Sequence, residues 1–171
     1  LRAEWVARVG ALDLYVHELV AQSMVKIFEG SRNHCSGFSK FQCSADTVLR
    51  IKMAPTPADA TAAFDLEVRS KLSRVTYQFT EDIADGVRLV SSSELWNEIA
   101  VAKGATAATK IAEAKSLKRD LSLIVERRNK IAHEGDLQPT VPRRPWAITA
   151  ADVTYASGFL LDLVRNIDRV V

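Results

Sequence analysis

The sequence predicts an all-α protein, an up-and-down bundle of about five to six helices. Three observations lead to this prediction. Apolar residues recur at helical spacing over long stretches, glycine and proline separate these stretches, and no segment shows the alternation of a β-strand. The length of 171 residues suits one domain with a substantial core, so we predict a single helical domain over residues 1–171.

The first predicted helix runs from about Glu4 to Phe28, and Gly30 follows as its stop signal. Its apolar positions repeat every three or four residues: Trp5, Val9, Leu12, Val16, Leu19, Val20 and Ile27. The segment Ser31–Asp46 is rich in Ser, Gly and Asn, so we predict a loop there.

Three helices are predicted in the middle of the chain, and the last two of them are short. Pro57 suits the first turn of a helix that runs to about Leu72. A shorter helix follows Thr80, and Ser93 is predicted to cap another that carries Leu95, Trp96 and Ile99.

The longest predicted helix runs from about Thr106 to Glu134, with Gly135 positioned to end it. Its apolar stripe consists of Ile111, Ala114, Leu117, Leu121, Ile124, Val125 and Ile131.

Three prolines (Pro139, Pro142 and Pro145) then predict an extended, stiff connection. Thr149 and Asp152 resemble a capping box and open the final helix. That helix carries Val153, Phe159, Leu160, Leu163, Val164, Ile167 and Val170.

Composition restricts the class of protein. The formal charge of +2 permits a polyanionic partner without requiring one, and no apolar run is long enough to span a bilayer. We expect no membrane association and, with only two cysteines, a cytoplasmic setting. Because the chain begins with Leu1, we expect it to be a domain excised from a larger protein.

The sequence predicts neither a metal nor a cofactor. It contains no Gly-rich phosphate loop, nucleophile elbow or paired-Cys motif, which argues against an NTPase, a triad hydrolase or a zinc enzyme. His34, Cys35 and Cys43 are too loosely spaced for structural zinc, so we interpret them as ordinary loop residues.

The segment from Arg127 to Asp136 carries the strongest chemical signal. It places Arg128, Asn129 and His133 in the last turns of the long helix. Asn129 and His133 are one turn apart and project from nearly the same face, whereas the directions of Arg128 and His133 differ by roughly 140°. A His beside a helix-stopping glycine is also common as a simple capping residue, and that alternative remains open.

These residue types suit RNA cleavage without a metal. Arginine matches phosphate through its planar fork, and imidazole transfers protons near neutral pH. Cleavage requires one group to deprotonate the ribose 2′-hydroxyl and another to protonate the leaving 5′-oxygen. Each chain offers one well-placed histidine, so we predict a composite site at the interface of a homodimer.

Three segments resemble the HEPN superfamily. The first segment is Arg128-Asn129-Lys130-Ile131-Ala132-His133, which resembles the Arg-Asn-three-residue-His motif of that superfamily. Residues 8–19 and 95–100 are similar to the RiboL-PSP-HEPN branch in particular. The resemblance implies a HEPN-type bundle that dimerises through the motif. It also implies an endoribonuclease of toxin–antitoxin or phage-defence systems, with RNA as substrate and an antitoxin or a sensor domain of the parent protein as a further partner.

By this resemblance, Arg128 holds or polarises the scissile phosphate, Asn129 orients it, and His133 is the general acid or base. Arg127 also satisfies the spacing rule but lacks the following Asn, so we assign it to substrate binding. Some HEPN domains are inactive and serve as RNA-binding or dimerisation modules. That role is the alternative prediction.

Further residues are assigned around this motif. Lys130, Arg143 and Arg144, with Arg127, are predicted to contact RNA phosphates, although a solvated helix face balanced by acids remains an alternative. Asp13, His17 and Glu134 are candidates to orient His133. The alternative for Asp13 and His17 is that they form an ordinary polar pair on the surface of the first helix. Trp5 and Trp96 are predicted to be buried, and Trp146 is open to either burial or base stacking.

Overall fold

The computed structural model describes residues 1–171 and consists of eight α-helices without a β-strand. The helices are α1 (Arg2–Phe28), α2 (Ser36–Ser39), α3 (Ala45–Lys52), α4 (Pro57–Leu72), α5 (Thr80–Arg88), α6 (Leu95–Ala102), α7 (Lys110–Glu134) and α8 (Ala150–Val170). The predicted all-α class is therefore confirmed. No helix combines the length and the apolar character needed to cross a membrane.

The long helix α1 lies at the centre of the bundle. It packs against α4, α5, α7 and α8, while α6 packs against α7 and α8. Val9, Val16 and Val20 of α1 are fully buried, as their helical spacing predicted. The buried apolar residues form one continuous cluster that joins these helices.

The prediction of about five to six helices was too low, because α2 and the start of α3 lie in the segment predicted to be a loop. Helix α3 is short and buries only Thr47, while its apolar residues Val48 and Leu49 are exposed, so its sequence does not mark one face as buried. Its N-cap, Ser44, accepts a hydrogen bond from the backbone N–H of Thr47 at 3.2 Å. In α2, Gly37 lies so close to α5 that a Cβ there would overlap the carbonyl of Arg88.

Three local predictions were wrong. The helix predicted to be the longest begins at Lys110 rather than Thr106, because residues 106–109 form a turn in which the Thr109 hydroxyl accepts from the Thr106 N–H, and its 25 residues make it shorter than α1, which has 27. Ile111 is 71% exposed and lies outside the apolar stripe. Ser93 does not cap α6: the N-cap is Glu94, and the hydroxyl of Ser93 pairs with that of Ser91.

The connection from α7 to α8 folds back on itself instead of running extended. We call residues 136–146 the proline loop. Within it, the N–H of Gln138 donates to the carbonyl of Arg144 and the N–H of Trp146 donates to that of Asp136, both at 2.8 Å. Proline lacks an N–H but keeps its carbonyl, so the non-proline residues of this segment can still pair with each other. The loop therefore returns beside the end of α7.

Both predicted ends of this connection are confirmed. Gly135 ends α7 in the left-handed region (φ 64°), and the N–H of Asp136 donates to the Lys130 carbonyl at 2.9 Å. Thr149 and Asp152 form the reciprocal capping box that begins α8.

Candidate functional site at the end of helix α7

The motif residues Arg128, Asn129 and His133 lie in the last two turns of α7. Arg128 and Asn129 are half-buried, and Nη1 of Arg128 donates to Oδ1 of Asn129 at 2.9 Å. The Nε atom of Arg128 is buried without a partner. His133 is exposed and its imidazole forms no hydrogen bond within the chain. The helix thus presents one free imidazole next to an Arg–Asn pair.

The orientation of these side chains follows from the regularity of α7, which is uninterrupted to Glu134. Asn129 and His133 stand one turn apart on the same side, and Arg128 points roughly 140° away from His133. A single copy of the helix therefore does not aim the guanidinium and the imidazole at one small group. It also supplies only one histidine.

Arg127 belongs to a buried ion-pair network. Its Nη2 donates to Oδ2 of Asp136 at 2.8 Å and to the carbonyl of Ala147 at 3.1 Å. The Asp136 side chain has no exposed surface, and Nε of Arg2 donates to the same oxygen at 2.9 Å. Nη2 of Arg2 reaches the Trp146 carbonyl at 2.6 Å. Arg127 thus joins α1, α7 and the proline loop, and phosphate binding by its guanidinium would compete with these contacts.

The structure places Asp13 and His17 away from the motif. The start of α1 lies beside the end of α7, and these two residues lie about 16 and 22 Å further along α1 than Arg2. Asp13 accepts from the backbone N–H of Tyr77, and the His17 ring packs edge-on against the Tyr77 ring with centroids 4.6 Å apart. Both side chains therefore hold the segment between α4 and α5 and do not contact His133.

Two of the cations predicted to bind RNA, Lys130 and Arg143, are brought together beside the motif by the fold of the proline loop. Lys130, Arg143 and Arg144 are exposed and form no ion pair within the chain. Lys130 and Glu134 from α7 line one cleft of about 360 Å³ together with Arg143 and Trp146 from the proline loop. Lys130, Arg143 and Arg144 are thus unengaged charges, whereas Arg127 is engaged.

A second cavity, of about 320 Å³, lies between α7 and α8, and Arg127 forms part of its wall. Its walls include Trp5, Tyr155 and the carboxylates of Asp120 and Asp152. Hydrogen bonds from the backbone N–H and the hydroxyl of Thr149 hold the pKa of Asp152 below its usual range, so this group is ionised at neutral pH. Two carboxylates make this cavity unfavourable for a phosphate.

The sequence pattern missed the pairing of Asp136 with Arg2 because those residues are 134 positions apart. An Asp after a helix-stopping glycine shows only that a polar group follows the helix. Trp146 was left open, and the structure shows it 41% exposed, whereas Trp5 and Trp96 are buried as predicted.

Comparisons with known proteins identify no relative of this chain. No family model matches the sequence, and neither a curated protein nor a solved structure matches it. The resemblance to the HEPN superfamily therefore rests on the sequence of three segments, residues 8–19, 95–100 and 128–133.

Proposed function

We propose that the protein is a metal-independent endoribonuclease of HEPN type that acts as a homodimer. The observation that supports it is the arrangement at the end of α7. An exposed, unbonded His133 follows a paired Arg128 and Asn129, beside the free cations Lys130 and Arg143. We infer further that the domain acts in the cytoplasm as a toxin-type or defence effector, controlled by an antitoxin or by a sensor domain of its parent protein.

The proposed reaction is attack of a ribose 2′-hydroxyl on the adjacent phosphorus. A base removes the hydroxyl proton, the 2′-O–P bond forms, the P–O5′ bond breaks, and an acid protonates the departing 5′-oxygen. The products are a 2′,3′-cyclic phosphate and a 5′-hydroxyl. Arg128, oriented by Asn129, stabilises the charge of the phosphorane, and His133 transfers one proton.

The second proton carrier is proposed to come from another copy of the chain. Each chain contributes one histidine at this end of α7, and a two-fold axis near the motif brings two copies of His133 to one phosphate. It also lets Arg128 of one copy complement His133 of the other despite their divergence along one helix. The alternative is a non-catalytic HEPN module for RNA binding or dimerisation, which the presence of only one histidine at the motif of each chain favours.

Cleavage of a structured RNA in the presence of a chelator tests this proposal. We expect His133→Ala and Arg128→Ala each to lower the cleavage rate at least about 100-fold, because proton transfer and charge stabilisation contribute at that scale. Matched controls are His34→Ala and Arg74→Ala, since both residues are exposed and form no side-chain hydrogen bond or ion pair. These controls should cleave at the wild-type rate.

The products separate an intrinsic activity from a contaminating nuclease. Cleavage by the proposed route leaves a 2′,3′-cyclic phosphate and fails on an RNA whose 2′-hydroxyls are methylated. Equal persistence of the RNA with wild-type protein and both motif variants, in samples that contain dimer, would reject the nuclease and favour the non-catalytic module.

A further inference from the structure

We propose that the cleft between the end of α7 and the proline loop binds an unpaired nucleobase of single-stranded RNA together with its phosphate. This inference rests on the proposed function in taking RNA as the ligand, but it requires no cleavage. The polar and aromatic side chains that carry it are Lys130, Glu134, Gln138, Arg143 and Trp146.

Trp146 provides the stacking surface. Its backbone is fixed at both ends of the residue: its N–H donates to the Asp136 carbonyl at 2.8 Å, and its carbonyl accepts from Arg2 at 2.6 Å. The residue is nevertheless 41% exposed and lines the cleft, and its indole N–H has no partner in the chain. A fixed backbone with an exposed aromatic ring loses little conformational freedom when a base stacks on it.

The other two tryptophans show the contrast. Trp5 and Trp96 are 8% and 7% exposed, and their indole N–H groups donate to the carbonyls of Ile124 and Thr80, both at 3.0 Å. Their rings are therefore buried and their indole N–H groups are hydrogen-bonded within the chain. Trp146 is the tryptophan whose ring and donor both remain available for a ligand.

The charges of the cleft fit a nucleotide better than a bare phosphate. Lys130 and Arg143 are cations without an ion pair, as a phosphate-binding wall requires. Glu134, on the same wall as Lys130, would repel a bare phosphate, but a carboxylate has only acceptors and so suits the N–H donors of a base edge. The amide of Gln138 donates to the Pro145 carbonyl at 3.3 Å, which fixes the side chain and leaves its oxygen as a second acceptor.

The cleft adjoins the proposed reaction site. Lys130 and Glu134 belong to the last turn of α7, which also carries His133. A base on Trp146, with its phosphate on Lys130 and Arg143, lies next to the phosphate that His133 would act on. The bases of duplex RNA are stacked on each other and cannot enter, so the cleft selects for unpaired nucleotides.

Binding of a short single-stranded oligonucleotide with 2′-O-methyl groups tests the inference, because that ligand cannot react by the 2′-hydroxyl route. In the wild type, tryptophan fluorescence reports contact, since only Trp146 has a ring that is substantially exposed. Anisotropy of the same oligonucleotide carrying a dye measures the affinity of every variant, including those that lack Trp146. We expect Trp146→Ala to weaken binding about tenfold, Trp146→Phe to retain most of it, and Tyr155→Ala, an exposed aromatic outside this cleft, to leave it unchanged. Circular dichroism verifies that each variant is folded.

An abasic oligonucleotide of the same length and charge separates base stacking from phosphate attraction. It should bind wild-type protein as weakly as the intact oligonucleotide binds Trp146→Ala. Equal binding of the abasic and intact ligands would overturn the proposal, as would unchanged binding by Trp146→Ala. A fluorescence change that follows protein concentration alone would also overturn it, because Trp146 would then contact a second copy.

The two proposals fail separately. Trp146-dependent binding without cleavage of ordinary RNA supports the base site and rejects the nuclease. Cleavage that depends on His133 but not on Trp146 supports the nuclease and rejects the base site.

Discussion

At the scale of single residues, Asp136 determines the geometry beside the motif more than any residue within it. Its carboxylate is fully buried and receives hydrogen bonds from Arg2 and Arg127. Its backbone is also in the left-handed region (φ 58°), which Asp and Asn tolerate better than other side chains. One residue therefore turns the chain after α7 and joins α1 and α7 by an ion pair.

Replacing Asp136 with Asn should lower the free energy of unfolding by about 2–3 kcal/mol. Asn accepts the same backbone conformation, so the change removes the charge and leaves two guanidinium groups facing an uncharged amide. Urea unfolding measures the loss. The matched control is Asp46→Asn, because the Asp46–Arg50 pair has a similar distance of 2.8 Å but is largely exposed. The control should lose less than about 1 kcal/mol, and equal losses would show that burial of Asp136 contributes nothing.

At the scale of elements, the short helix α3 depends on α4 for its position. Glu67 of α4 accepts from the backbone N–H of Ser44 at 2.8 Å and from the Thr47 hydroxyl at 2.9 Å. These hydrogen bonds, and first of all the one from Ser44, hold the pKa of Glu67 below its usual range. Ionised Glu67 therefore stabilises the position of the start of α3 through these hydrogen bonds.

We expect Glu67→Gln to lower the thermal midpoint at pH 7, with a smaller effect in acid. Because the pKa of Glu67 is lower in the folded than in the unfolded chain, its contribution is present above the unfolded value of about 4.3 and is lost as pH falls through the folded value. Melting curves between about pH 7 and 3 measure the difference from wild type. Glu126→Gln, on an exposed and unpaired helix position, is the control. A difference that persists unchanged in acid would contradict the role of the carboxylate.

At the scale of the whole molecule, the proposed reaction requires more than one chain. One chain presents a single free imidazole at the end of α7, and Arg128 diverges from it by roughly 140°. The smallest closed assembly that doubles this set of groups is a two-fold dimer.

Mixing inactive His133→Ala and Arg128→Ala chains should restore part of the activity. Heterodimers keep one His133 and one Arg128, so charge stabilisation and one of the two proton transfers return, whereas either homodimer lacks every copy of one group. Cleavage by the mixture is compared with cleavage by each variant alone, and light scattering gives the mass. A monomer at micromolar concentration would contradict the composite site, and a mixture no more active than its components would contradict the pairing of Arg128 from one chain with His133 from the other.

The sequence by itself determined the features that depend on near neighbours along the chain. Helical spacing located the long helices, Gly135 located the end of α7, and Thr149 with Asp152 located the start of α8. The motif from Arg128 to His133 is also visible in the sequence, because one helix holds it and helical geometry fixes the relative directions of its side chains.

Only the tertiary structure decided what surrounds that motif. It paired Asp136 with Arg2 across 134 positions, engaged Arg127 in the same network, and kept Asp13 and His17 away from the motif. It also folded the proline loop back so that Arg143 and Trp146 line a cleft with Lys130 and Glu134. The physical reason is that helix spacing and caps act over a few residues, whereas ion pairs and clefts depend on how distant segments pack.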